Sequence, residues 1–151
     1  MQIKIHKRSV EDAAVLVEWR YLEPLWLRST FAPVDRSELV NGYSELWFDK
    51  KSSPWSFTLG EIEFHLNKLG EWEVQFCNGR NRTNLLIKHQ NLIPICIIGG
   101  VPGDADIQAA IVETLNEGDI VDVPDLPIYS MSEIRELQIE LDGNGVRKNN
   151  R

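Results

Sequence analysis

Six consecutive residues, Asn78-Gly79-Arg80-Asn81-Arg82-Thr83, combine anion-holding side chains with a glycine that lets the backbone come close. They follow an alternating polar and apolar segment and precede one with helical spacing. Free amides at a helix start would then point into the turn, and the helix dipole would favour negative charge there. Arg80 and Arg82 add forked donors that match phosphate oxygens, and Thr83 can cap the helix or donate its hydroxyl. The competing reading is an ordinary tight turn with solvated arginines.

Other chemistry-bearing residues are scattered. Glu61, Glu63, Glu71 and Glu73 flank the turn in sequence, and a nuclease or ATPase needs carboxylates to hold Mg²⁺ or activate water. Glu61 and Glu73 are the candidates, although Glu61 also fits a capping box and Glu73 shares a face with Glu71. Lys50 and Lys51 stand in a polar loop and, with Arg80 and Lys88, form the expected DNA-contacting set. His6, His65 and His89 lack metal-ligand spacing and no cysteine pair supports them, so they are not expected to hold a metal. Cys77 lies near the two arginines, but a nucleophile needs a lowered pKa and a base; Cys77 and Cys96 are expected in apolar surroundings as small hydrophobes. Of the five tryptophans, Trp47 and Trp55 could stack on a base, and the rest are expected in the core.

The elements that must position these residues follow from periodicity. Gln2 to His6 reads as a short strand, and Ser9 to Asp12 as a capping box opening a helix through Leu22 that Pro24 ends or kinks. Thr30 to Ser56 reads as loops with a short strand near Leu46 to Phe48. Thr58-Leu-Gly-Glu61 is a second capping box, opening a helix through Leu69 with Gly70 as its C-cap. Trp72 to Cys77 alternates as a half-buried strand; Asn78-Gly79 turns it. Thr83 to Gln90 is a helix, and Leu92 to Ile98 a buried strand. That order predicts two strands in one parallel or mixed sheet joined by a crossover helix. After a glycine-rich loop, Asp104 to Leu115 reads as a helix closed by Gly118. Val121 to Tyr129 reads as extended or an edge strand, Ser132 to Leu141 as a last helix, and Asp142 to Arg151 as a frayed tail. The fold class expected is α/β or α+β with a small mixed sheet, in one domain of 151 residues.

Two segments carry a family resemblance. Val74-Gln-Phe-Cys-Asn-Gly-Arg-Asn-Arg-Thr-Asn-Leu-Leu86 followed by Ile93-Pro-Ile-Cys-Ile97 resembles the nucleotide-binding turn of the ParB/sulfiredoxin superfamily, nearest to the plasmid fertility-inhibition (Osa-like) branch. The resemblance implies a ParB/sulfiredoxin-like fold that binds ATP or another nucleotide through Asn78, Gly79, Arg80, Asn81, Arg82, Thr83 and Asn84. Within that set, Gly79 would be the close-approach glycine and Arg82 the arginine on a phosphate. It also implies an ATPase or Mg²⁺-dependent DNA nuclease, with DNA or a DNA-transfer protein as partner, blocking transfer by a competing mobile element. Arg82, Glu61 and Glu73 would be the catalytic candidates. Asn78 stands where plasmid members often have an acid, and Asn81 where they have a histidine; neither can titrate. A cysteine inside the turn, which sulfiredoxin chemistry requires, is replaced by Arg80. The alternative is a non-enzymatic interaction module that kept the fold and lost the titratable turn residues.

Composition bounds these readings. The chain carries 16 basic and 23 acidic residues, net −7, which excludes the bulk cationic character of a protein that coats DNA or anionic membrane. The excess is local: residues 1 to 100 hold 12 acidic and 12 basic side chains, and residues 101 to 151 hold 11 and 4. A neutral body with Arg80, Arg82 and Lys88 near one turn leaves room for an anion site. Met1 to His6 has no long apolar stretch, and the apolar run near Ile93 to Ile98 is too short to span a bilayer, so a cytoplasmic protein without membrane contact is expected.

Overall fold

A computed structural model of the protein describes residues 1–29, 43–123 and 125–143. Its strands are β1 (Gln2–His6), β2 (Ala13–Glu18), β3 (Phe48–Asp49), β4 (Ser56–Thr58), β5 (Glu61–Leu66), β6 (Trp72–Asn78), β7 (Leu92–Ile97), β8 (Ile111–Leu115) and β9 (Ile120–Asp122). Its helices are α1 (Trp19–Leu27), α2 (Arg80–His89), α3 (Ala105–Ala110) and α4 (Met131–Gly143), with a 3₁₀ turn at Glu45–Trp47. The strands form two mixed sheets, ordered β3-β4-β1-β9 and β6-β5-β7-β2-β8. This is the expected small α+β fold.

In the first sheet β1 runs parallel to β4, with Ile5 opposite Phe57, and antiparallel to β9. In the second, β5 runs parallel to β7 and antiparallel to β6, and β7 pairs antiparallel with β2. One apolar core joins them: Ile3, Ile5 and Phe57 from the first sheet, and Val15, Val17, Ile62, Val74, Ile93 and Ile95 from the second. α1 adds Trp19, Leu22 and Trp26. Trp19, Trp26 and Phe76 stack pairwise with ring centroids 5.6 to 5.9 Å apart, edge-on or tilted as aromatic quadrupoles prefer.

Three expected helices are corrected. Ser9 to Asp12 does not start a helix: the Asp12 amide donates to the Ser9 carbonyl at 3.2 Å, a tight turn leading into β2. Ala13 to Val17 is a nearly continuous apolar run that becomes an interior strand between β7 and β8. The helix starts only at Trp19 and contains Pro24, which therefore does not end it. Thr58 to Leu69 is also not a helix. Glu61-Ile-Glu-Phe-His-Leu66 is a strand whose period of two outweighs the capping-box pattern, because pairing with β6 and β7 satisfies its backbone. Leu66 and Leu69 are 58% and 83% exposed. Asp104 to Leu115 divides into the short α3 and β8, where the β-branched Ile111, Val112 and Thr114 favour extension.

The segment around the turn conforms better. β6, α2 and β7 lie within a residue or three of their expected bounds. β6 and β7 belong to one mixed sheet, yet they are not neighbours, because β5 lies between them and β5–β7 is the parallel pair. β3 begins at Phe48, β9 is an edge strand, and α4 covers the last expected helix. Residues 30–42 of the expected irregular stretch, and 144–151 of the expected frayed tail, lie outside the described residues.

Candidate functional site

Gly79 is the pivot of the turn. It adopts φ +75° at the N-cap of α2, a left-handed conformation glycine takes without a Cβ penalty. A Cβ there would stand 2.6 Å from Arg82 Cζ and 2.8 Å from Gly60 Cα, so the glycine is required by contact as well as by φ. Gly60, between β4 and β5, fits the same joint from the other side: its own Cβ would fall on the Thr83 hydroxyl. Two glycines thus bring the start of α2 against the β4–β5 connection.

Arg82 locks the joint. Its side chain folds back so that Nε donates to the Thr58 carbonyl at 2.8 Å and Nη2 to the Leu59 carbonyl at 3.1 Å. It is 6% exposed, and its guanidinium lies 5.4 Å from the centre of the Trp47 ring. Burial lowers its pKa, the Glu61 charge opposing and Arg8 reinforcing the change. Two of its donors are spent on backbone carbonyls, so Arg82 is a strut of the fold as well as a positive charge.

A cavity of about 470 Å³ opens beside this strut, lined by His6, Arg8, Leu46, Trp47, Thr58, Asn78 and Arg82. Its walls come from the ends of β1, β4 and β6, the 3₁₀ turn and the first turn of α2. Behind it lies Glu61, 5% exposed, whose strand partner Asn78 and ion-pair partner Arg8 both line the cavity. Arg8 Nη1 and Glu61 Oε1 are 3.5 Å apart. Burial pushes the Asp12 carboxyl up to about 6, with the Glu61 carboxyl reinforcing and the Lys7 charge opposing. His6 Nδ1 is held 2.7 Å from Glu117 Oε2.

The expected site residues divide around the turn. Asn78 and Arg82 line the 470 Å³ cavity. Asn78, Gly79 and Arg80 line a second one of about 210 Å³ on the other side, with Trp26, Ser29 and Cys77. Thr83 and Asn84 face inward at 1% and 4% exposure, and the buried Oδ1 of Asn81 and Oγ1 of Thr83 have no hydrogen-bond partner. Asn84 lines neither of these cavities but a groove between α1 and α2.

Of the carboxylates, Glu61 is at the site and Glu73 is not. Glu73 accepts a bond from Asn67 Nδ2 at 2.9 Å and lies five residues before Asn78, about 16 Å along the strand. The DNA-contacting set is dispersed: Lys50 pairs with Glu45 at 3.0 Å and covers Trp55, Lys51 sits in a turn closed on Asp49, and Arg80 and Lys88 line separate cavities. Cys77 is exposed, contrary to its expected apolar setting, whereas Cys96 is buried as expected. Partial burial and the neighbouring Glu63 push the Cys77 thiol up to about 11, the opposite of nucleophile activation. Trp47 reaches the cavity; Trp55 stacks on Phe48 instead.

His6, Arg8 and Thr58 are the site residues that sequence patterning missed. They enter through the parallel pairing of β1 with β4, which brings His6 opposite Thr58 across 52 positions of chain. No local motif encodes such a pairing. Among the described residues no helix is long and apolar enough to cross a membrane, and no three His, Cys, Asp or Glu side chains group as metal ligands. The chain matches no family model, no curated protein and no solved structure.

Proposed function

We propose that the protein binds a nucleoside triphosphate, ATP in the first instance, in the 470 Å³ cavity beside the start of α2, as a ParB/sulfiredoxin-like protein of a mobile element. The observation that carries this reading is the cavity's lining. Arg8 and Arg82 supply positive charge for phosphates, Asn78 and Thr58 supply hydrogen-bonding groups, and the Trp47 indole supplies a stacking face for a base. The volume falls within the range of small-molecule sites, about 300–1,000 Å³. Hydrolysis of the triphosphate, or cleavage of a DNA phosphodiester held by the same groups, is the activity proposed, in the service of blocking transfer by a competing element.

No Mg²⁺ ligand set is assigned to the described residues, among which no three His, Cys, Asp or Glu side chains group together. Glu61 is paired with Arg8 at 3.5 Å. The ion enters this reading only with the phosphates it accompanies in solution, and no step is assigned to it. The commitment of Arg82 to two backbone carbonyls favours a second reading, a non-enzymatic binding module that shares the fold and engages a protein partner.

Thermal unfolding and calorimetry with Mg-ATP test the proposal. Ligand at about 100 times its Kd stabilises by about 2.7 kcal/mol, enough to raise Tm by roughly 5–10 °C in a chain of this size. Arg8→Ala and Trp47→Ala should weaken binding, and phosphate release or plasmid nicking separates enzyme from module. Absence of any ATP-dependent shift, or a shift untouched by both substitutions, would refute nucleotide binding in this cavity.

A further inference from the structure

β9 closes one end of the first sheet. The Ile5 amide donates to the Asp119 carbonyl at 2.9 Å and the Val123 amide to the Met1 carbonyl at 2.8 Å, with Val121 opposite Ile3 between them. The backbone groups of residues 119, 121 and 123 are therefore turned toward β1. Those of Ile120 and Asp122 point the other way, and no strand follows β9 in the sheet order. Free amides and carbonyls along such an edge are a template for one more strand.

That edge borders a groove of about 700 Å³. The facing wall is the second sheet, where Leu16 of β2 stands opposite Glu113 of β8, and Glu18 of β2 opposite Leu92 of β7. Leu92 and Ile120 are 43% and 51% exposed, so the groove presents apolar side chains to solvent. Its charge is one-sided. Arg20 neutralises Glu18 at 2.8 Å, whereas Glu113 and Asp122 are exposed and enter no ion pair among the described residues.

We propose that this groove takes up an extended segment of a protein partner in which lysine or arginine alternates with apolar residues, added to β9 as a further strand. Main-chain bonds to Ile120 and Asp122 hold the segment, Leu16 and Leu92 receive its apolar side chains, and Glu113 and Asp122 select the basic ones. The groove shares no lining residue with the 470 Å³ cavity, so the inference stands or falls apart from nucleotide binding.

Fluorescence anisotropy with a labelled, capped hexapeptide of alternating lysine and valine tests it. This peptide should bind, and its counterpart with glutamate in place of lysine should not; no binding of the lysine peptide overturns the proposal. Methylating backbone nitrogens separates edge pairing from simple charge attraction, because amides along a strand point alternately to its two sides. Of two peptides, methylated at every lysine or at every valine, one should lose at least about tenfold in affinity while the other stays within about threefold of the parent. Equal affinities for the two overturn strand addition. The double variant Glu113→Lys with Asp122→Lys changes exposed positions only and should weaken the peptide by at least about tenfold. Unchanged affinity in that folded variant puts the peptide elsewhere and overturns the assignment. Sedimentation of the protein alone should show a monomer; a dimer broken by Asp122→Lys would give the edge to a second copy of this chain and overturn the partner.

Discussion

Replacing Gly79 with alanine tests the joint on which the candidate site is built, and Gly70 provides the control. Both glycines hold nearly the same left-handed φ, +75° and +77°. A Cβ on Gly70 would meet nothing within 4 Å, whereas one on Gly79 would stand 2.6 Å from Arg82 Cζ and 2.8 Å from the backbone of Gly60. Gly70→Ala therefore costs only the left-handed strain, about 1–2 kcal/mol. Gly79→Ala costs the same strain and forces the Arg82 guanidinium off its seat. Loss of one of its bonds to Thr58 or Leu59 adds about 1.5–3 kcal/mol, because a charged donor leaves a carbonyl in a buried place. The expected totals are about 1.5 kcal/mol for Gly70→Ala and about 4 kcal/mol for Gly79→Ala, a difference in Tm of roughly 5–10 °C. Urea unfolding followed by circular dichroism, with equal m-values for the two variants, measures both. Equal losses at the two positions would refute the contact argument and leave φ as the only reason for Gly79.

Gly60→Ala should destabilise through its collision with the Thr83 hydroxyl, and Thr83→Ala added to it should recover part of the loss, seen as a positive coupling in a double-mutant cycle. Arg82→Lys should cost about 2–3 kcal/mol despite keeping the charge, since an ammonium cannot fork between two carbonyls; unchanged urea stability would contradict the strut. The folded Asp12 binds its proton more tightly than an unfolded aspartate near 3.8, so stability should decline as pH rises from about 4 to about 6 and stay lowered above that. Full burial would make this about 3 kcal/mol, and the partial exposure of Asp12 reduces it to about 1–2 kcal/mol. Asp12→Asn should flatten the decline and raise stability at pH 7, as read from unfolding curves across pH. Alkylation of native protein at pH 8 should be at least tenfold slower at Cys77 than in the unfolded chain, and slower still at Cys96; fast labelling of Cys77 would contradict its raised pKa.

The turn and the two elements beside it were legible because their determinants are local. A glycine before a run of helix formers, and strands with clean alternation or a continuous apolar run, need no distant partner to be recognised. The capping boxes at Ser9 and Thr58 misled for the converse reason. Each offers a helix start worth about 1 kcal/mol, while the strands that formed instead bury Val15, Val17 and Ile62 completely or nearly so and pair their backbones on both sides. Tertiary burial outweighs a cap.

The candidate site shows the same division. The run of glycine, arginines and polar side chains from Asn78 to Thr83 is a property of contiguous residues, and so is the charge split between a neutral body and an acidic last third. The role of each residue in that turn is not. Whether Arg82 faces solvent or braces the β4–β5 connection depended on Gly60 meeting Gly79 across 19 positions of chain. Whether Glu61 caps a helix or is buried against Arg8 depended on β5 joining a sheet. Sequence by itself determined which chemistry was on offer, because side-chain charge and backbone freedom belong to single residues. Tertiary structure alone decided which groups act together, because burial and ion pairing arise between residues that only the strand pairings bring into contact.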